Sequence, residues 1–133
     1  MKPDLSWVLN SVLEVRGARH AVLVSADGLL MERSADIGRD EAETNAAAMS
    51  SIQSLCRAVA AFVGGGDGAW KQTLIEFDNG WVFLVEAGDG SHLAVSTAAD
   101  VDMEAMSFRM QKTVGALREA MGAAPRHGAG AQT

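Results

Sequence analysis

Apolar positions along this chain alternate between a helical and a strand period. Leu5, Val8, Leu9, Val12 and Val15 recur at helical spacing, with Asp4 behind Pro3 as an N-cap, and predict a short amphipathic helix that Gly17 stops. Residues 20–26 (HAVLVSA) are apolar at successive positions and read as a strand buried on both faces, joined through Asp27-Gly28 to a second strand over 29–33. After the SADIGR loop the helical period returns over about 40–63, with Met49, Ile52, Cys56, Val59 and Val63 on one stripe that Leu55 and Phe62 widen. The run GGGDG at 64–68 breaks this helix as a flexible connector. Strands over 70–77, 81–87 and 91–97 follow, divided by the tight-turn pairs Asn79-Gly80 and Asp89-Gly90. A last helix, over about 102–121, sets Met103, Met106, Met110, Val114, Leu117 and Met121 on one side.

That order, α-β-β-α-β-β-β-α, predicts an α+β fold with one meandering five-stranded antiparallel sheet. Its central strands are apolar on both faces, so helices must cover both sides. Residues 1–121 are expected to form a single domain without internal repeats. The remainder, 122–133 (GAAPRHGAGAQT), has nothing to bury and is expected to be disordered.

With 133 residues, 48% of them hydrophobic, the chain can bury a core without disulfides or structural metal. Cys56 is its single cysteine and no Cys or His pair has zinc-ligand spacing, so no metal or cofactor is expected and a reducing, cytoplasmic setting is the simplest reading. A net charge of −6 opposes attraction to phosphate backbones and anionic lipid, so nucleic acid is not an expected partner. The apolar residues near the N-terminus are spaced rather than continuous, unlike a signal peptide, and no run is long enough to insert in a bilayer.

Reaction-centre patterns are absent from the sequence. The glycine run lacks the GxxxxGK[ST] spacing of a phosphate loop and precedes a strand instead of a helix. Cys56 sits mid-helix as a small hydrophobe, and no local motif ties His20, His92 or His127 to a nucleophile. The pairs Glu41/Glu43 and Asp100/Asp102 stand near helix starts, at a separation that suits dipole compensation and capping. No catalytic residue is assigned, and a non-enzymatic role is expected.

The second predicted helix stands out for what it lacks. Arg57 is its one charge between Glu43 and Val63, and the face opposite the apolar stripe reads Ala47, Ser50, Ser51, Ser54, Ala58 and Ala61. A helix packed only on its own sheet would present Lys and Glu to water there, so this face together with Arg57 is a candidate partner surface. A bland, exposed Ala/Ser surface is the competing reading. The predicted strand 70–77 supplies a second candidate, because the first member of a three-strand meander is expected at a sheet edge. Trp70, Gln72, Thr73, Leu74 and Ile75 carry no charge that would repel another strand. Pairing with a second copy across a two-fold axis would satisfy this edge. Since side chains alternate, one residue must then oppose its own copy, either Thr73 or Leu74.

The motif ARHAVLVSADGLLMERS, the Ala-rich helix after it and LIEFDNGWVFLVEAGDGSHLAVSTAAD together resemble the roadblock (dynein light chain type) domain family over about residues 5–121. The chain is most similar to small bacterial members encoded beside Ras-like GTPases and sensor-kinase-like proteins. The resemblance implies a roadblock/profilin-like fold and a homodimer in which the third strands join two sheets while the second helices lie together on one face. It also implies a signalling scaffold that binds and regulates a small Ras-like GTPase. The rival from another class is a small-molecule-sensing domain, with a pocket between the sheet and the Met-rich last helix lined by Met103, Met106, Met110 and Met121.

Overall fold

Asp4 opens the first helix, its Oδ1 accepting from the N–H and the hydroxyl of Ser6 at 3.0 and 2.8 Å. In the computed structural model, which describes residues 4–64 and 68–122, α1 (Ser6–Leu13) leads into the hairpin β1 (Ala18–Val24) and β2 (Leu30–Arg33). Next come α2 (Arg39–Ala58), the single turn α3 (Ala60–Val63), the meander β3 (Gln72–Phe77), β4 (Gly80–Gly88) and β5 (Ser91–Ala98), and α4 (Met103–Gly122). The five strands form one antiparallel sheet in the order β2-β1-β5-β4-β3, which leaves β2 and β3 at its edges.

Alternation along the central strands divides the core into two layers. Ala21 and Leu23 of β1, Phe83 and Val85 of β4, and Leu93 and Val95 of β5 face α1 and α4, where they meet Val8, Leu9, Val12, Met106 and Met110. Val22, Val24, Leu84 and Ala94 point the other way, toward Ala42 and Ala46 of α2. Helices therefore cover both faces, as the two-sided apolar strands require. The Asp102 carboxylate accepts from the Ala105 N–H at 3.0 Å and so caps α4, while Arg109 ties α4 to α1 through the Ser11 carbonyl (2.6 Å) and Glu14 (3.0 Å).

Several boundaries and assignments differ from the sequence expectations. The β3–β4 turn is made by Asp78 and Asn79, with Phe77 paired to Gly80, so Gly80 is the first strand residue and not a turn residue. Its need for glycine is steric, since a Cβ there would stand 2.0 Å from the Thr97 carbonyl oxygen. The β4–β5 turn does rest on backbone chirality: Asp89 and Gly90 both have positive φ, 52° and 84°. Trp70 lies before β3, not in it. The helix expected to run unbroken over 40–63 ends at Val59, whose N–H is shared between the Leu55 and Cys56 carbonyls at 3.2 and 3.3 Å. Of the expected glycine connector, residues 65–67 lie outside the described residues, as does 123–133 of the expected disordered tail; Gly122 itself ends α4.

Candidate interaction surface

Which face of α2 meets the sheet is decided by its smallest residues. Ala42 and Ala46 let the helix sit close on β1 and β2, and the inward line continues one turn at a time through half-buried Met49, buried Gln53 and half-buried Cys56. Gln53 is accommodated because its Nε2 donates to the Gly90 carbonyl at 3.4 Å, and Cys56 Sγ lies 3.1 Å from Thr73 Oγ1. Continuing the stripe through Val59 and Val63, and widening it with Leu55 and Phe62, is therefore a correction to the sequence reading. These four side chains are exposed, at 68% for Leu55, 57% for Val59, 92% for Phe62 and 83% for Val63. The physical reason is reach, because inward contacts run out where α2 passes the edge of the sheet, and at 3.6 residues per turn Leu55 and Phe62 project away from it.

The predicted helix face is thus exposed, but it is not bland. Ala47, Ser51, Ser54, Arg57, Ala58 and Ala61 are exposed, and Leu55 and Phe62 stand among them. Ser50 departs from the expectation of a face free of internal contacts: it is half-buried against the β1–β2 turn, where a Cβ on Gly28 would meet its hydroxyl at 3.2 Å. Large apolar side chains separated by small ones offer ridges and grooves to another helix. Arg57 is the one charge on the C-terminal half of α2, whereas Arg39 and Glu43 form an exposed ion pair of 3.2 Å in its first turns.

Next to this face runs the open edge of β3. Gln72, Leu74, Glu76 and Phe77 are exposed and Thr73 and Ile75 half-buried. Leu74 pairs with Phe83 and so lies on the α1/α4 side, while Thr73 and Ile75 pair with Leu84 and Val82 on the α2 side. Trp70, placed among the edge residues by sequence, instead packs under α2 and donates its Nε1–H to Thr73 Oγ1 at 2.8 Å. The structure therefore brings Gln72, Thr73, Leu74 and Ile75 together on the edge and leaves Trp70 half-buried ahead of the strand. Leu55, Val59, Phe62, Val63 and Phe77 join the surface without having been assigned to it. The available signal was the width of the apolar set on the second helix, too broad an arc for one buried stripe.

The surface holds hydrophobic and hydrogen-bonding capacity and little chemistry. Among the described residues no cluster of three His, Cys, Asp or Glu could hold a metal ion, and no helix is long and apolar enough to cross a membrane. The methionines expected to line a ligand pocket are mostly core: Met106 and Met110 are fully buried, Met103 is half-buried, and Met121 alone is exposed, at 44%.

Comparison with known proteins agrees with this architecture. The sequence pattern of the Roadblock/LC7 domain matches residues 6–97. A Roadblock/LC7 domain from Streptomyces avermitilis, solved by crystallography, is 29% identical with a TM-score of 0.82, covering 90% of this chain and 98% of its own. A second domain from that organism is 32% identical with a TM-score of 0.67, covering 85% and 97%. Myxococcus xanthus MglB shares the fold at 12% identity, with a TM-score of 0.78 over 91% of this chain and 99% of that one. No curated protein matches the chain. The five-stranded sheet in the order found here, the helices on both its faces and a domain match running from α1 to β5 lead to one conclusion: the chain belongs to the Roadblock/LC7 domain family.

Proposed function

We propose that this protein is a non-enzymatic, cytoplasmic signalling scaffold that forms a homodimer and, as a dimer, binds and regulates a small Ras-like GTPase, with a sensor-kinase-like protein as a further partner. The observation that carries this reading is the coincidence of two unsatisfied features, the exposed apolar face of α2–α3 and the open β3 edge, on neighbouring parts of one molecule. An edge strand without a partner and exposed side chains such as Phe62 are liabilities for an isolated monomer and assets for an assembly. Structural likeness to MglB and MglC of Myxococcus xanthus is consistent with a regulatory setting. Co-purification with a Ras-like GTPase encoded nearby tests the reading. Retention of the GTPase by wild type and its loss in a Leu55→Asp/Phe62→Asp double variant supports it, whereas equal retention by both removes α2 from the binding surface.

A second reading, small-molecule sensing, has one observation in its favour. A cavity of about 580 Å³ lies between the sheet and the C-terminal part of α4, with Met31, Leu117 and Met121 on its apolar side and the Glu86–Arg118 ion pair on its wall. A metabolite that raises the melting temperature, with the effect removed by Leu117→Trp, would favour this reading over the scaffold.

A further inference from the structure

His92, the second residue of β5, is fully buried, and neither ring nitrogen finds a hydrogen-bond partner among the described residues. Buried imidazoles ordinarily donate and accept, so an orphaned ring at the centre of a sheet calls for a physical account. Alternation along β5 puts the ring on the α2 side with Ala94, and its cross-strand partner on β1 is buried Val24.

The groups around the ring come from every neighbouring element. From α2, the buried Gln53 donates to the Gly90 carbonyl, and Arg57 stands close enough for its charge to act on the imidazole. From β4, the residue opposite is Glu86, but its carboxylate is engaged by Arg118 of α4 and by the Gly88 N–H (3.0 Å). From the β4–β5 turn, Asp89 borders the cleft that also touches Gln53, Arg57 and Trp70. A cationic ring in this position would thus meet the charge of a guanidinium, a Gly90 carbonyl that accepts from Gln53 and makes no hydrogen bond to the ring, and a carboxylate committed elsewhere.

We propose that His92 is a proton-operated latch: protonation of its ring unseats the C-terminal half of α2 from the sheet and so loosens the face that carries Leu55 and Phe62. The latch concerns the seating of α2 and holds whichever partner that face serves. Burial holds the imidazole below the ordinary histidine value of 6.5; the Gly90 carbonyl opposes that effect without forming a hydrogen bond, and the Arg57 charge adds to it. The sign follows from linkage. A neutral ring favours the seated helix, so seating is complete above about pH 6.5 and is lost as pH falls below it. One pH unit below that value the opening equilibrium rises by at most roughly tenfold, the limit for a ring that protonates only when open.

Hydrogen–deuterium exchange of the full chain at about pH 7.5 and about pH 5.5, expressed as protection factors so that intrinsic exchange cancels, tests the latch. Amides in the second half of α2 should lose protection by roughly three- to tenfold at the lower pH, while those of α1 and α4 change less than about twofold. His92→Gln, with no proton to gain, should abolish the loss. His20→Gln should retain it, because His20 pairs with Asp36 (3.1 Å) in an exposed position. Unchanged α2 protection in the wild type, the same loss in His92→Gln, or abolition by His20→Gln alone would overturn the proposal. If His92→Gln fails to fold, an NMR titration of the wild-type ring decides: titration below the ordinary value, in step with α2 amide shifts, supports the latch, and titration without those shifts overturns it.

Discussion

Gly80 is fixed by contact and Asp102 by a hydrogen bond, and the two predict different losses. A methyl at Gly80 would be driven into the Thr97 carbonyl across the β4–β5 ladder, a backbone atom that no rotamer change can move. Gly80→Ala is therefore expected to lower the free energy of unfolding by about 2–4 kcal/mol, read from urea denaturation, and a loss under about 1 kcal/mol would show that the ladder yields. Asp102→Ala removes one N-cap bond and should lower it by about 1 kcal/mol. The capping role was legible in the sequence, since a carboxylate just ahead of a helical period has few other uses. The demand at Gly80 was not. Asn79-Gly80 carries a turn signal, and only the approach of Thr97, 17 positions further along the chain, shows that the glycine serves a crossing strand.

At the scale of elements, α2 concentrates both the interest and the difficulty. Its fully buried residues are two alanines and a glutamine, with Met49 and Ile52 half-buried beside them, whereas its Leu55 and the Phe62 of α3 face outward. Binary patterning assigns large apolar residues inward, so the periodicity marked the helix correctly and inverted part of its orientation. The small-residue face was legible because a charge-free stretch this long departs from an ordinary surface helix. What remained hidden was that Leu55 and Phe62 belong to that face, since this depends on where the sheet edge falls beneath the helix. Ser54 is exposed, so Ser54→Arg should leave unfolding within about 0.5 kcal/mol of wild type while weakening self-association or partner retention. Thermal melting alongside gel filtration separates the cases. A destabilised monomer would mean that Ser54 is engaged within the fold, and unaffected association would place the partner surface elsewhere.

At the scale of the whole molecule, the sheet order leaves β3 open, and the observed strand bounds sharpen the proposed register. Residues 72–77 allow Leu74 or Ile75 at a two-fold axis, while centring on Thr73 would leave half of the strand unpaired. Centring on Leu74 opposes Thr73 with Ile75 and sets the two Leu74 side chains together on the α1/α4 side; centring on Ile75 would place Leu74 against Glu76. In a Cys56→Ala background, Leu74→Cys is accordingly expected to crosslink more readily than Thr73→Cys or Ile75→Cys, and strong crosslinking at Met31→Cys with none on β3 would place the joint at the other sheet edge. The order of elements and the two-sided central strands were legible because alternation and turn residues are local signals. The surface was only partly so, because it arises from what the fold leaves uncovered.

The claim beneath these proposals is that the protein pairs with itself through β3. Sedimentation equilibrium of the wild-type chain and of Leu74→Lys at micromolar concentration measures it directly. Wild type should have twice the chain mass, and Leu74→Lys, which sets a charge against its own copy at the axis, should shift toward the single-chain mass while keeping its fold by circular dichroism. A wild-type chain that sediments at its single mass would contradict the claim.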